Sequence, residues 1–258
     1  MERKGPFRKL WTMLIGNSRA TRRVRRQIRQ VAPSNAPVLI RGQQGTGKNL
    51  IARLIHDMSN RGDRPFITLR CDEVAVDILE RTLFGYARGA FPGARNAGKG
   101  WLEKAHGGSI FLDEIAALAP STQVKLLRLL QERVFEPVGS TTPIPVDIRL
   151  LAATQHPLEQ RVRSGTFRGD LFYRLTVFPI QVQPLRKHKA DIPVLVDRFI
   201  ARYARARGKT VPVVSPEAMD LLKHYRWPGN VRELEACIEQ AIRKSTDGWV
   251  HGDHLSLA

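Results

Sequence analysis

Apolar positions follow two different periods along this chain, and each period marks a different kind of element. Short unbroken apolar runs read as buried strands: VLIR (38–41), FITL (66–69), SIFLDE (109–114), VDIRLLAAT (146–154) and VFPIQVQ (177–183). Helical spacing appears between them. Val24, Ile28 and Val31 fall on one face and predict a helix capped by Ser18 and running to about Val31. Leu50, Ile51, Leu54 and Ile55 predict a second helix, and STQVKLLRLLQERVF (121–135) a third, with Ser121 at its cap position. Strands alternating with helices predict an α/β fold with a parallel sheet covered on both faces. Beyond Pro184 the pattern changes. Residues 186–258 show helical periodicity over 192–207, 216–224 and 230–243 and no strand, which predicts a smaller all-helical unit.

Composition adds one unusual feature. At 258 residues, with 42% hydrophobic and 26% charged, the chain can bury a sizeable core. Its net charge is +18. Residues 1–33 hold ten Lys and Arg against Glu2 alone, and residues 186–209 hold eight against Asp191 and Asp197. Such faces suit an anionic partner (nucleic acid, nucleotide or an acidic protein) or are simply solvated. Cys71 and Cys237 are the only cysteines, too few for a disulfide framework, so a reducing cytoplasm is expected. No run approaches the ~18 apolar residues of a membrane span.

Candidate chemistry begins after VLIR. Gly42, Gly47 and Lys48 fit G-x-x-x-x-G-K, with Gly45 and Thr46 inside the loop. Glycines let backbone N–H groups turn inward on phosphates, Lys48 adds charge, and the following helix adds its dipole. Asn49 stands where a hydroxyl usually follows the lysine. Asp113 and Glu114 end the third strand, where a parallel sheet faces its ligand crevice. Asp113 can hold Mg²⁺, and Glu114 can orient or deprotonate an attacking water. The bland alternatives are a glycine turn and two surface acids. This pairing predicts Mg²⁺ and a ligand that carries phosphates, such as ATP.

With these motifs in place the chain resembles the AAA+ ATPase domain of bacterial enhancer-binding proteins, the activators of sigma-54 RNA polymerase. The resemblance runs over GTGK (45–48), TLFG (82–85), GAFPGA (89–94), GGSIFLDEI (107–115), QVKLLRLLQERVFEPVG (123–139), GTFRGDLFYRL (165–175) and WPGNVREL (227–234). It implies a basic leader over 1–13, a nucleotide-binding subdomain over 14–185 and a helical lid over 186–258. It further implies a homo-oligomeric ring, hexamer or heptamer, with Arg168 and Arg174 as fingers reaching a neighbour's γ-phosphate. Thr154 matches sensor I and Arg232 the lid's sensor II arginine.

The resemblance also gives a meaning to the stretch around Gly89, Phe91, Pro92 and Gly93. The family carries GAFTGA here, and its Phe and Thr engage sigma-54. Phe91 matches the Phe, as an exposed aromatic on a mobile hairpin, while Pro92 replaces the Thr, stiffens the loop and removes two hydrogen-bonding groups. Arg70 replaces a family Asn and is expected to pair with Glu114 or to contact phosphate. Activators of this kind continue into a DNA-binding helix-turn-helix after the lid. Its absence implies a fragment of a longer regulator or a stripped form, with DNA reached through the basic faces or the missing domain. The competing reading is an ATP-binding regulator that hydrolyses weakly and does not activate sigma-54.

Overall fold

Five strands, β1 (Val38–Arg41), β2 (Phe66–Arg70), β3 (Ser109–Asp113), β4 (Arg149–Thr154) and β5 (Phe178–Gln181), form one sheet in the order β2-β3-β4-β1-β5. Every ladder in it is parallel. The computed structural model describes residues 12–208, 210–245 and 248–257; most of the basic leader, residues 1–11, lies outside them. All residues of β3 and β4 are buried, as a sheet covered on both faces requires.

Among the described residues the helices longer than four residues are α1 (Arg19–Val31), α2 (Lys48–Asp57), α3 (Val76–Phe84), α4 (Pro120–Glu132), α5 (Leu158–Arg163), α6 (Gly169–Leu175), α7 (Ile192–Ala206), α8 (Pro216–His224) and α9 (Asn230–Lys244). Val24, Ile28 and Val31 are buried on α1 as their spacing predicts, and Ser18 Oγ accepts the Thr21 N–H as its cap. The prediction for α4 needs two corrections. Its N-cap is Ala119, with Pro120 at the first turn, because proline's fixed φ suits that position. Ser121 instead donates its hydroxyl to Glu80 Oε1 at 2.6 Å. The helix stops at Glu132, where Arg133 turns left-handed, and Val134–Phe135 leaves to pair antiparallel with Ile144–Pro145.

Two units emerge. One comprises Gln27–Arg41 and Asn49–Gln181 and holds the sheet. Its core gathers Leu39, Leu83, Phe84, Ile110, Leu112, Leu126, Leu150 and Leu171, each essentially inaccessible. The other comprises Gly42–Lys48 and Val182 onward, with the segment up to Arg26. Its core packs Ile192, Val196, Leu222, Leu234 and Ile238 from α7, α8 and α9 with Trp227 from the turn before α9. Each such fully buried aliphatic side chain contributes on the order of 1.5–3 kcal/mol. Contrary to the sequence reading, this unit contains a strand pair: Val213–Val214 runs parallel to Trp249–Val250. Two-residue strands leave no periodicity to detect.

Candidate functional site

The glycine-rich loop between β1 and α2 closes on itself. Lys48 is 7% exposed, and its ammonium donates to the Gly42 carbonyl at 3.0 Å and the Gln43 carbonyl at 3.4 Å. Thr46 Oγ1 donates to the Gln43 carbonyl at 2.7 Å. Gly45 and Gly47 adopt φ of 77° and 91°, which only glycine takes without strain. A Cβ on Gly45 would collide with the Gly229 carbonyl, whereas one on Gly47 would meet nothing within 4 Å. The loop is therefore braced on one side and open at Gly47, as a phosphate cradle has to be. Asn49 is exposed at the start of α2.

The brace is the turn before α9. Asn230, fully buried with φ 55°, donates from Nδ2 to the Gln44 carbonyl at 2.9 Å, while its Oδ1 accepts the Leu185 N–H at 2.9 Å. The Arg232 amide donates to the Gly45 carbonyl at 3.3 Å, which places Arg232 beside the loop with its side chain exposed. Arg186 donates to Gln43 Oε1 at 2.9 Å. Asn230 was not singled out from the sequence. The only signal was its place in WPGN, where a residue tolerant of positive φ is needed.

A second constellation lies in the sheet-bearing unit, at the carboxyl ends of its strands. Asp113 and Glu114 are both nearly buried at the end of β3. Asp113 Oδ1 accepts the Glu114 N–H at 3.1 Å. Glu114 is left-handed, φ 52° and ψ 48°, a strained backbone for a glutamate. Its Oε2 accepts the Gln155 N–H at 3.2 Å, which ties the carboxylate to the residue after β4. Thr154 ends β4 in full burial, and its Oγ1 accepts the His156 N–H at 3.0 Å. Gln155 acts through its backbone, so its side-chain identity gave no signal. Arg70 is salt-bridged to Asp72 at 3.0 Å and Glu73 at 2.5 Å, not arranged as expected around Glu114, because acids two and three residues away are the nearest partners.

Among the described residues no cluster of three or more His, Cys, Asp or Glu could hold a metal alone. Mg²⁺ needs none, since one carboxylate with substrate phosphates and waters suffices. Asp113, a nearly buried acid at a strand end, fits that role. Arg168 and Arg174 are both exposed, at the start and in the last turn of α6. Arg168 forms a two-bond pair with Asp170, 3.0 and 2.7 Å.

The stretch with Phe91 is a hairpin arm, Gly85–Tyr86 pairing antiparallel with Gly98–Lys99. The expectation of an exposed Phe91 is corrected: the ring is half-buried, edge-on to Tyr86 at 5.0 Å and beneath the Arg81 guanidinium of α3 at 4.2 Å. Pro92 and Gly93 form the middle of a turn closed by the Ala94 N–H donating to the Phe91 carbonyl at 3.0 Å, with Gly93 at φ 99°. Proline followed by a positive-φ glycine is the type II pattern, so Pro92 fits its position and prepays the turn's entropy. Gly89, at φ 81°, donates to the Ala94 carbonyl at 2.9 Å.

A parallel sheet in this order with a glycine-rich phosphate loop after β1 and a helical lid defines an AAA+ ATPase fold. Comparison with known proteins agrees. The family described as "Sigma-54 interaction domain" matches residues 14–181, and that described as "AAA+ ATPase lid domain" matches residues 186–258. The chain is 47% identical over 245 residues to the transcriptional regulatory protein ZraR of Salmonella typhimurium, covering 95% of this chain and 56% of that protein. It is 48% identical over 243 residues to the Nif-specific regulatory protein of Herbaspirillum seropedicae, covering 94% and 45%. Among solved structures, NtrX from Brucella abortus in complex with ADP superposes with a TM-score of 0.88 at 38% identity, covering 96% of this chain and 56% of that one. The complex of NtrX with ATP gives 0.87. This chain belongs to the family of sigma-54 interaction AAA+ domains. It spans about half the length of the curated relatives it matches. Among the described residues no helix is long and apolar enough to cross a membrane.

Proposed function

We propose that this chain is the ATP-driven motor domain of a sigma-54-dependent transcriptional regulator, acting in the cytoplasm on RNA polymerase holoenzyme. The observation that carries the reading is the retention, in family order, of the Lys48 loop, the Phe91 turn and the Asp113–Glu114 pair. In this reading the amides of residues 42–47 and the Lys48 ammonium take the phosphates of ATP, and Lys48 exchanges its loop carbonyls for phosphate oxygens. Asp113 would hold Mg²⁺, which supplies positive charge to the phosphate oxygens when bound. Glu114, aimed by the Gln155 amide, orients a water and accepts its proton. Thr154 reports the phosphate state, and Arg232 completes the lid side. Arg168 and Arg174 project to a neighbouring copy in a hexameric or heptameric ring, where a cation supplied in trans stabilises the transition state by on the order of 10³–10⁵ in rate. Arg168 must first release Asp170. The Phe91 turn is the element that meets sigma-54. The reading of a non-hydrolysing regulator gains nothing from Arg70, whose charge is spent on Asp72 and Glu73.

The test is steady-state ATP hydrolysis across protein concentration. Specific activity rises with concentration and falls by about 10²-fold or more in Glu114→Gln with nucleotide binding retained, while Lys48→Ala loses binding. Tight ATP binding without turnover at any concentration would sink the motor reading.

A further inference from the structure

The first two turns of α1 carry a stripe of cations that the nucleotide chemistry does not use. Arg19, Arg22, Arg23 and Arg26 are all exposed, and among the described residues no side chain of the four makes an ion pair or hydrogen bond. Their spacing of i, i+3, i+4 and i+7 puts them along one side of the helix, spanning roughly 10 Å of its axis. The opposite side, Thr21, Val24 and Ile28, is buried.

Several arginines elsewhere in the molecule are paired instead. Arg41, Arg53, Arg61, Arg81, Arg128 and Arg202 each have an acid. Four like charges at i, i+3 and i+4 repel one another, and a helix N-terminus is the wrong end for cations. No acid lies in the first turn of α1. The helix start is instead served by Asp191, a fully buried carboxylate that accepts the Asn17 and Ser18 amides at 2.6 and 2.7 Å. The stripe therefore does no capping or folding work. It is held rigidly by its other face and raises the cost of folding α1.

We propose that the Arg19–Arg26 stripe is a docking surface for the phosphate backbone of duplex DNA. The chemistry selects this partner from other polyanions. Guanidinium forks match phosphate oxygens in pairs. An anionic bilayer would call for apolar side chains exposed beside the arginines, and those of α1 are buried. A single strand would call for aromatic stacking, and α1 contains no aromatic residue. A second copy of this chain is a poor partner, because acids such as Asp77, Asp147, Asp170 and Glu239 are engaged within their own chain. All four side chains are long cations, so the contact positions the protein on DNA without reading bases. The inference does not rest on the ATPase reading.

The experiment is binding of a fluorescent random-sequence 30-base-pair duplex to the full chain by anisotropy, from 50 to 200 mM salt. The comparison is with the fourfold variant Arg19→Gln, Arg22→Gln, Arg23→Gln, Arg26→Gln. Each phosphate contact contributes about 0.9 to the salt slope, so the variant's slope falls by up to about 3.6. Its loss of affinity across that salt range then shrinks by about 100-fold. Glutamine keeps the helix and relieves repulsion, so the variant melts no lower than wild type. If it does not fold, the four single variants each lower the slope by about 0.9, and the fourfold Arg→Lys variant keeps it. An unchanged slope, no binding by wild type at 50 mM salt, or arginine-dependent binding only to phosphatidylserine vesicles or to another copy of the chain overturns the proposal.

Discussion

Asp191 is the residue whose removal the structure predicts most sharply. Its carboxylate is fully buried, and five donors converge on it. Oδ1 accepts the Asn17 and Ser18 amides, and Oδ2 accepts the hydroxyls of Ser18 at 2.6 Å and Thr21 at 2.7 Å and the His188 Nδ1 at 3.0 Å. Gly16 wraps so closely that a Cβ there would strike the carboxylate. Burial alone would raise the Asp191 pKa, but bonds from His188, Ser18 and Thr21 outweigh it and hold the carboxyl well below the usual range. Asp191→Ala leaves two amides and two hydroxyls without their acceptor. Charge-assisted bonds contribute about 1.5–3 kcal/mol each and do not add fully, and removing one member of a buried ionic network costs about 3–5 kcal/mol in total. Amide protection at Asn17 and Ser18 should therefore fall by on the order of 10²–10⁴-fold, read by hydrogen exchange. Unfolding followed by Trp227, buried in the same unit, should come earlier. Because the folded pKa is depressed, this stabilisation is complete above the unfolded value of about 4 and fades as pH falls below it. The wild-type advantage over Asp191→Asn should narrow below that pH. A melt within about 1 kcal/mol of wild type, with the Asn17 and Ser18 amides still protected, would refute the reasoning.

Burial, with the charge of Arg53 second, pushes His56 down to about 4, and its Nδ1 lies 2.9 Å from Ser109 Oγ. The unfolded chain takes up a proton between pH 6.5 and 4 that the folded one refuses, so stability falls with pH across that window, by about 3 kcal/mol in all. Urea titrations at pH 7, 5.5 and 4.5 should show the slope, and His56→Gln should flatten it; parallel curves count against it. Arg81→Ala releases a cation–π contact of about 0.5–1 kcal/mol, so trypsin should cut at Arg88 and Arg95 about 2–5-fold faster. Equal cutting rates would mean that Arg81 does not hold the Phe91 turn.

Much of this protein was legible before any fold was known. Five apolar runs became the five strands, because a strand buried on both faces needs an unbroken apolar sequence. The Lys48 loop and the acids ending β3 were legible because phosphate chemistry demands fixed residue types at fixed local spacing. Boundaries slipped where a competing contact won: Pro120 displaced Ser121 from the cap, and Val134–Phe135 left α4 for a strand partner. What the chain order could not reveal are contacts between residues far apart along it. Asp191 meets Ser18 across 173 positions, and Asn230 meets Gln44 across 186. Nothing next to Arg81 in the sequence marks it as the cation that α3 lays over Phe91. Local patterns follow from backbone sterics and burial and so are written in neighbouring residues. Which carboxylate staples which helix, and which cation covers which ring, is settled only when packing brings distant segments together and desolvates the groups that meet.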